Sequence, residues 1–198
     1  MILFCVTYHG PFAFLKPWSA VREMKTNSQQ FLTPSTITGI EQKLGVAKIL
    51  RHRLSFNGFN YQQEVIQAKE FAKVPKAKLR SDRKGTFLYK EKSIVQRGVL
   101  INPKLTLAFT TQEDEKKAWK QTVCLSRNED LLFPESIQEM TDTEFDKLPG
   151  YEFMPADPGT YNGVMVGFNR FRDGAYINYR VNPESIPMYG TIVFTPGE

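Results

Sequence analysis

Ile2–Tyr8 is apolar at every position but Thr7, and a period of two puts Ile2, Phe4, Val6 and Tyr8 on one face of an extended strand and Leu3 and Cys5 on the other. Apolar groups on both faces predict a central strand. His9-Gly10-Pro11 ends it, and Phe12–Phe31 reads as a loop. Thr33-Pro34-Ser35 then predicts a helix start, with Thr33 as N-cap and Pro34 at the first helical position, where a missing N–H costs nothing. Ile37, Ile40 and Leu44 form its apolar stripe and Gly45 suits the position just past its end. The free N–H groups at this start are a candidate phosphate site.

Further on, Asn57-Gly58 between Leu54/Phe56 and Phe59/Tyr61 predicts a hairpin. Gln62–Lys73 fits either a short helix or an extension of the strand. Within Pro75–Arg97, apolar-containing runs surround turn residues at Ser81–Gly85, which predicts a long hairpin. Gly98–Phe109 is a strand broken once at Asn102-Pro103. Thr111–Gln121 is a helix, capped by Thr111, with Glu113, Asp114 and Glu115 in its first turn and Lys116, Lys117 and Lys120 after them, as the helix dipole favours. Thr122–Leu125 is a short strand. Asn128–Gly150 is acidic and irregular. Gly163–Phe171 and Ala175–Val181 predict a hairpin around Asp173-Gly174, and Tyr189–Phe194 one more strand. The order up to residue 127 is strand, helix, strand or hairpin, basic insertion, strand, helix, strand. It predicts an α+β chain with a ferredoxin-like or RRM-like (RNA-recognition-motif-like) βαββαβ domain over 1–127. Residues 128–198 are then an acidic linker and a small C-terminal β extension packed on it.

Charge adds a direction. Lys69–Lys104 holds eleven Lys or Arg against three acids, interrupted by Val74, Leu79, Phe87, Leu88, Tyr89, Ile94 and Val95. Such interruptions allow strands that present cations on an ordered surface, for which RNA or DNA is the first partner to consider. Residues 1–104 carry a net charge of +12 and residues 105–198 of −7. Trp18, between Lys16 and Arg22, is a candidate base-stacking residue. Lys84–Tyr89 matches the aromatic signature of an ordinary RNA-recognition motif only in part, so a bound RNA is not expected on an open-sheet aromatic pair. Cys5 and Cys124 lie in apolar runs and read as free thiols in a reducing compartment. No metal-ligand spacing, apolar membrane span or signal-peptide pattern is present, and a cytoplasmic protein without cofactor or metal is expected. His52, between Arg51 and Arg53, would have a depressed pKa and be neutral near pH 7, the state a general base needs. Its context is equally that of a basic surface strand.

Two motifs carry a resemblance. Gly10-Pro11-Phe12-Ala13-Phe14 closes the first strand, and Thr33–Gly39 with Ile40 opens the first helix. Thr122–Asp130, TVCLSRNED, is the second, with Ser126 standing where the family often has Gly. Over about the first 130 residues the chain resembles the fifth family of CRISPR-associated (Cas) proteins, most closely its subtype I-B branch. The resemblance implies an RRM-like domain with a long β-hairpin thumb, about residues 75–97. It implies a non-catalytic subunit of the type I CRISPR surveillance complex, Cascade, which caps the backbone filament and holds the 5′ handle of the guide RNA (crRNA). Implied partners are the crRNA, the backbone subunit of the seventh Cas family, the large subunit of the eighth Cas family, and target DNA through the complex. Pro34 and Ser35 would lie near the handle, and Lys76, Lys78, Arg80, Arg83, Lys84, Lys90, Lys92 and Arg97 on or beside the thumb. With Lys16, Trp18, Arg22 and Arg127 they complete the expected RNA-binding set. The subtype I-C branch cuts precursor RNA without metal, using a Tyr and an adjacent Lys-His pair. No Lys-His pair occurs here, so a metal-independent endoribonuclease built on His52 is the alternative, and a generic nucleic-acid-binding module a second.

Overall fold

The computed structural model describes residues 1–17, 24–73, 88–156, 163–168, 171–172, 175–176 and 187–197; within 66–73, 88–93, 171–172 and 175–176 it describes the backbone. In chain order the elements are β1 (Ile2–His9), β2 (Phe12–Ala13), β3 (Lys25–Asn27), α1 (Pro34–Leu44), β4 (Arg51–Ser55), β5 (Gly58–Lys73), β6 (Leu88–Ile101), β7 (Lys104–Phe109), α2 (Gln112–Trp119), β8 (Val123–Cys124), β9 (Leu131–Thr141), α3 (Asp142–Asp146), β10 (Gly150–Pro155), β11 (Val164–Phe168), β12 (Phe171–Arg172), β13 (Ala175–Tyr176) and β14 (Pro187–Thr195). The chain is mixed α+β, mostly strand, with three helices among the described residues.

β1 lies inside an eight-stranded sheet of order β11-β14-β10-β4-β7-β1-β9-β8, between antiparallel partners β7 and β9. The alternation read from its sequence is what it buries. Val6 and Tyr8 join Ile40 and Leu44 of α1, Leu105, Leu107 and Phe109 of β7, and Ala118 of α2 in one core, with Phe4 packed against it. Leu3 and Cys5 join Ala108 and Phe145 of α3 in a second core on the other face. The Tyr8 hydroxyl donates to the Ala118 carbonyl at 2.7 Å, so the polar end of a buried ring is satisfied.

The helices start and stop on local signals. Thr33 accepts the Thr36 N–H, Pro34 opens α1, and Gly45 closes it at φ 65°, a left-handed conformation that glycine adopts without penalty. Thr111 caps α2 through the Asp114 N–H. Asp114 is itself buried and accepts the Ala47 N–H at 3.2 Å, tying α2 to the segment after α1. Asn102 takes φ 47° where β6 gives way to β7, at the predicted break.

Several expectations need correction. Asn57-Gly58 does not join paired strands: β4 pairs with β7 and β10, whereas β5 pairs with β6 in a second sheet. Gln62–Lys73 is strand throughout. Phe12–Phe31 is not only loop, because β2 and β3 add to the edge of β6. The short strand at Val123–Cys124 is the sheet's last among the described residues, paired with the start of β9. The stretch Asn128–Gly150, read as irregular, supplies β9, which lies beside β1, and α3, closed by a capping box between Thr141 and Glu144. Its acidic residues hid the strand: Glu135 and Glu139 are exposed on it, beyond the two residues that pair with β8. β11 pairs with β14, and the hairpin expected around residues 173–174, which lie outside the described residues, is seen among the described ones as the short β12–β13 ladder. Strands from both sides of residue 127 therefore share the main sheet.

Candidate nucleic-acid interface

The described parts of the basic stretch, on either side of residues 74–87, belong to a long antiparallel ribbon. β5 and β6 run 16 and 14 residues, paired from Gly58↔Ile101 at the root to Lys73↔Leu88, with a register shift between Gln67 and Phe71. At ~3.4 Å per residue the longer strand reaches roughly 50 Å. Pairing starts well before Pro75, where the hairpin was expected to begin. Lys92 stands opposite Gln67 and Lys90 opposite Phe71. Lys76, Lys78, Arg80, Arg83 and Lys84, with the expected turn at Ser81–Gly85, lie outside the described residues.

The root of the ribbon is held on its far edge. β2 pairs with Leu100 and Ile101, and β3 runs parallel to Gln96–Gly98. The contact is close enough that a Cβ on Gly98 would come within 2.4 Å of the Asn27 Oδ1 and 3.2 Å of the Tyr61 ring. Lys25 lies over that ring, its Nζ 4.2 Å from the centroid.

Two of the expected RNA-binding residues meet here. Arg127 grips both oxygens of Asp130 with one edge of its guanidinium, from Nε and Nη2 at 2.7 Å each, and donates from Nη1 to Glu64 of β5. Arg97 of β6 donates to the other oxygen of Glu64 at 3.4 Å and to the Thr26 hydroxyl at 3.1 Å. Both guanidinium carbons lie over the Phe14 ring, at 5.7 and 5.6 Å, while the Phe14 N–H donates to Asp130 Oδ2. Asp130 is 1% exposed, and its hydrogen bonds hold the Arg127 guanidinium above the usual arginine range. Asp130 and Glu64 are the residues that sequence reading missed; an acid three residues after Arg127 was the only local sign.

Elsewhere the predicted residues are less gathered. Lys16 has an exposed side chain, and its N–H donates to the Ser126 hydroxyl at 3.2 Å. Trp18 and Arg22 lie outside the described residues. Pro34 is the first residue of α1, and the Ser35 hydroxyl points to the Phe168 carbonyl at 3.4 Å and the Met188 sulfur at 3.9 Å. The C-terminal strands therefore reach the start of α1.

Arg51-His52-Arg53 is not the basic surface strand that it resembles. Arg51 donates from Nε and Nη2 to Glu152 at 3.1 and 2.7 Å and pairs with Asp146 at 2.8 Å. Arg53 pairs with the same Glu152 at 3.1 Å and donates to the Thr195 hydroxyl at 2.9 Å. Both guanidinium groups lie over the Phe145 ring. His52, buried, accepts the Phe153 N–H at its Nε2. Burial lowers its pKa to about 4, with Arg51 and Arg53 adding to the shift and Glu152 opposing it.

No family model and no curated protein matches this sequence. A solved structure described as a "CRISPR RNA-guided surveillance complex" contains a chain of similar fold, with TM-score 0.51, 12% sequence identity, and coverage of 98% of this chain and 90% of that one.

Proposed function

We propose that this chain is a non-catalytic RNA-binding subunit of a type I CRISPR surveillance complex, capping the backbone filament and holding the 5′ handle of the crRNA. The observation that carries the reading is where the basic ribbon leaves the molecule. It departs after β4 and returns into β7, and these two strands are neighbours in the order β4-β7-β1-β9. That order, with α1 following β1 and α2 following β7, is the one a ferredoxin-like or RRM-like βαββαβ unit would have. A ribbon between its second and third strands has the position of the thumb that the sequence motifs imply. Fold alone does not assign function. The charge of the ribbon and the likeness along nearly the whole chain support the role together. On this reading the partners are the crRNA, the seventh-family backbone subunit and the eighth-family large subunit, with target DNA met through the complex.

Arg97 and Arg127 act in this account by fixing the root of the ribbon, and Lys90, Lys92 and the cations of residues 76–84 supply phosphate contacts. The burial of His52, with its Nε2 taken by a backbone N–H, favours the non-catalytic reading over the ribonuclease. Incubating the purified chain with a repeat RNA in EDTA tests this. Intact RNA, bound with a preference for a defined repeat-derived 5′ end, is the expected result. Specific cleavage that disappears in a folded His52→Gln variant would overturn it, and binding without any preference for that end would leave only a generic nucleic-acid module.

A further inference from the structure

A groove at the root of the ribbon has no part in the account so far. It encloses about 650 Å³ where the ends of β1 and β4 meet the starts of β7 and β10. Three rings line it in a row. Phe56 and Tyr151 are nearly parallel, with centroids 5.9 Å apart and planes at 14°, and Phe194 continues the row 4.6 Å from Tyr151. Phe194, at the end, is 56% exposed.

The polar lining comes from the two points where the ribbon joins the sheet. Asn57 immediately precedes β5 and Asn102 immediately follows β6, and the Asn57 N–H donates to the Ile101 carbonyl at 2.9 Å. Among the described residues the side-chain amides of Asn57 and Asn102 make no hydrogen bond, so each keeps a carbonyl and an NH2 group free for a ligand. Lys104 adds a cation. Its ion pair with Glu135, at 3.3 Å, is exposed on both sides and so weak that an incoming anion can compete for the ammonium. No carboxylate is among the described residues that line the groove. Aromatic faces, unspent amides and a cation whose one paired acid lies outside the groove lining suit a nucleobase on its sugar-phosphate better than a peptide side chain, since every base has a face to stack and an edge to read.

We propose that this groove holds one unpaired nucleotide of the bound RNA, its base stacked on Phe194, its edge met by Asn57 and Asn102, and its phosphate near Lys104. The proposal rests on the reading of the chain as an RNA-binding subunit and adds a site for a single base at the foot of the ribbon.

The test is an abasic scan. A single-stranded repeat RNA is prepared with each base removed in turn, and the affinity of the full chain is measured for the wild type, Phe194→Ala and Asn102→Gly. One position is expected at which base removal weakens wild-type binding by about tenfold, the scale of one stacked base. In Phe194→Ala that penalty should vanish while those at other positions persist. Asn102→Gly preserves the left-handed turn and removes only the amide, so it should relax the preference among the four bases at the same position. If the wild type binds the RNA but neither variant changes the penalty at any position, the groove proposal fails and the RNA-binding role stands. If the variants bind RNA like the wild type but no longer assemble with the other subunits, the groove is a protein surface and the proposal is again overturned. If the wild type binds no single-stranded repeat RNA, both readings fall together.

Discussion

Glu64 takes Arg127 on one carboxylate oxygen and Arg97 on the other, joining the ribbon's two strands to a loop 63 residues further along the chain. This clasp and the short strands β2 and β3 give the ribbon a fixed root. A long two-stranded ribbon is marginally stable alone, so its direction depends on what holds that root.

Asp130→Asn should therefore be costly. It weakens the grip on Arg127 and on the Phe14 N–H at a site closed to water, and a loss of about 2–4 kcal/mol in urea unfolding is expected. Glu64→Gln acts on a partly exposed carboxylate and should cost only about 1 kcal/mol. Its mark should be local instead: faster amide hydrogen exchange over Gln96–Gly98, with the β1–β7 ladder unchanged.

His52 makes stability depend on pH in a defined direction. Its pKa is about 4 in the folded chain, below the ordinary value of 6.5, so between these values the unfolded chain binds more protons. Stability is then complete above about pH 6.5 and falls as the pH drops toward 4, by on the order of 3 kcal/mol for this group. Urea midpoints measured across pH 4.5–7.5 should show this slope, and subtracting the profile of His52→Gln should isolate it. Parallel profiles for the two proteins would show that His52 is not held neutral by the fold.

Glu152→Gln should be the most damaging single change of charge. Glu152 is 1% exposed and pairs with both Arg51 and Arg53, so its loss leaves the buried Arg53 guanidinium without its carboxylate and Arg51 with Asp146. A loss of about 3–5 kcal/mol is expected from equilibrium unfolding. A smaller loss would mean that Asp146, already paired with Arg51, or water makes up for the missing charge.

What could be read from the sequence was what local chemistry decides. Thr33, Pro34 and Gly45 bound α1 by their own conformations, and Asn102-Pro103 divides β6 from β7 for the same reason. Both faces of β1 were legible because Ile2–Tyr8 is apolar on each side of an extended strand, which suits only a central position. The errors arose where the partner is remote. Nothing near Arg51-His52-Arg53 announces Glu152, about a hundred residues later, so three basic residues looked like surface. Asn57-Gly58 carries the local signal of a hairpin, but β4 is claimed by β7 and β10 and β5 by β6, and those pairings outweigh a turn preference. Leu131–Thr141 contains Pro134, Glu135 and Glu139, which argue against a central strand and are tolerated here because they lie beyond Leu131 and Leu132, the two residues paired with β8. For the interface, the basic stretch stood out by composition, whereas the carboxylates that engage Arg97 and Arg127 lie on other elements and required the fold.

The salt dependence of RNA binding shows how many phosphates residues 80–84 meet. The affinity of the full chain for a repeat-derived single-stranded RNA is measured over a range of salt concentrations, for the wild type and for Arg80→Ala/Arg83→Ala/Lys84→Ala. Each phosphate contact with a single strand contributes a log–log slope of roughly −0.7, so removing three should flatten the slope by about 2 and weaken binding at low salt. A variant that keeps the wild-type slope and affinity would contradict the assignment of the basic ribbon as the RNA-holding element.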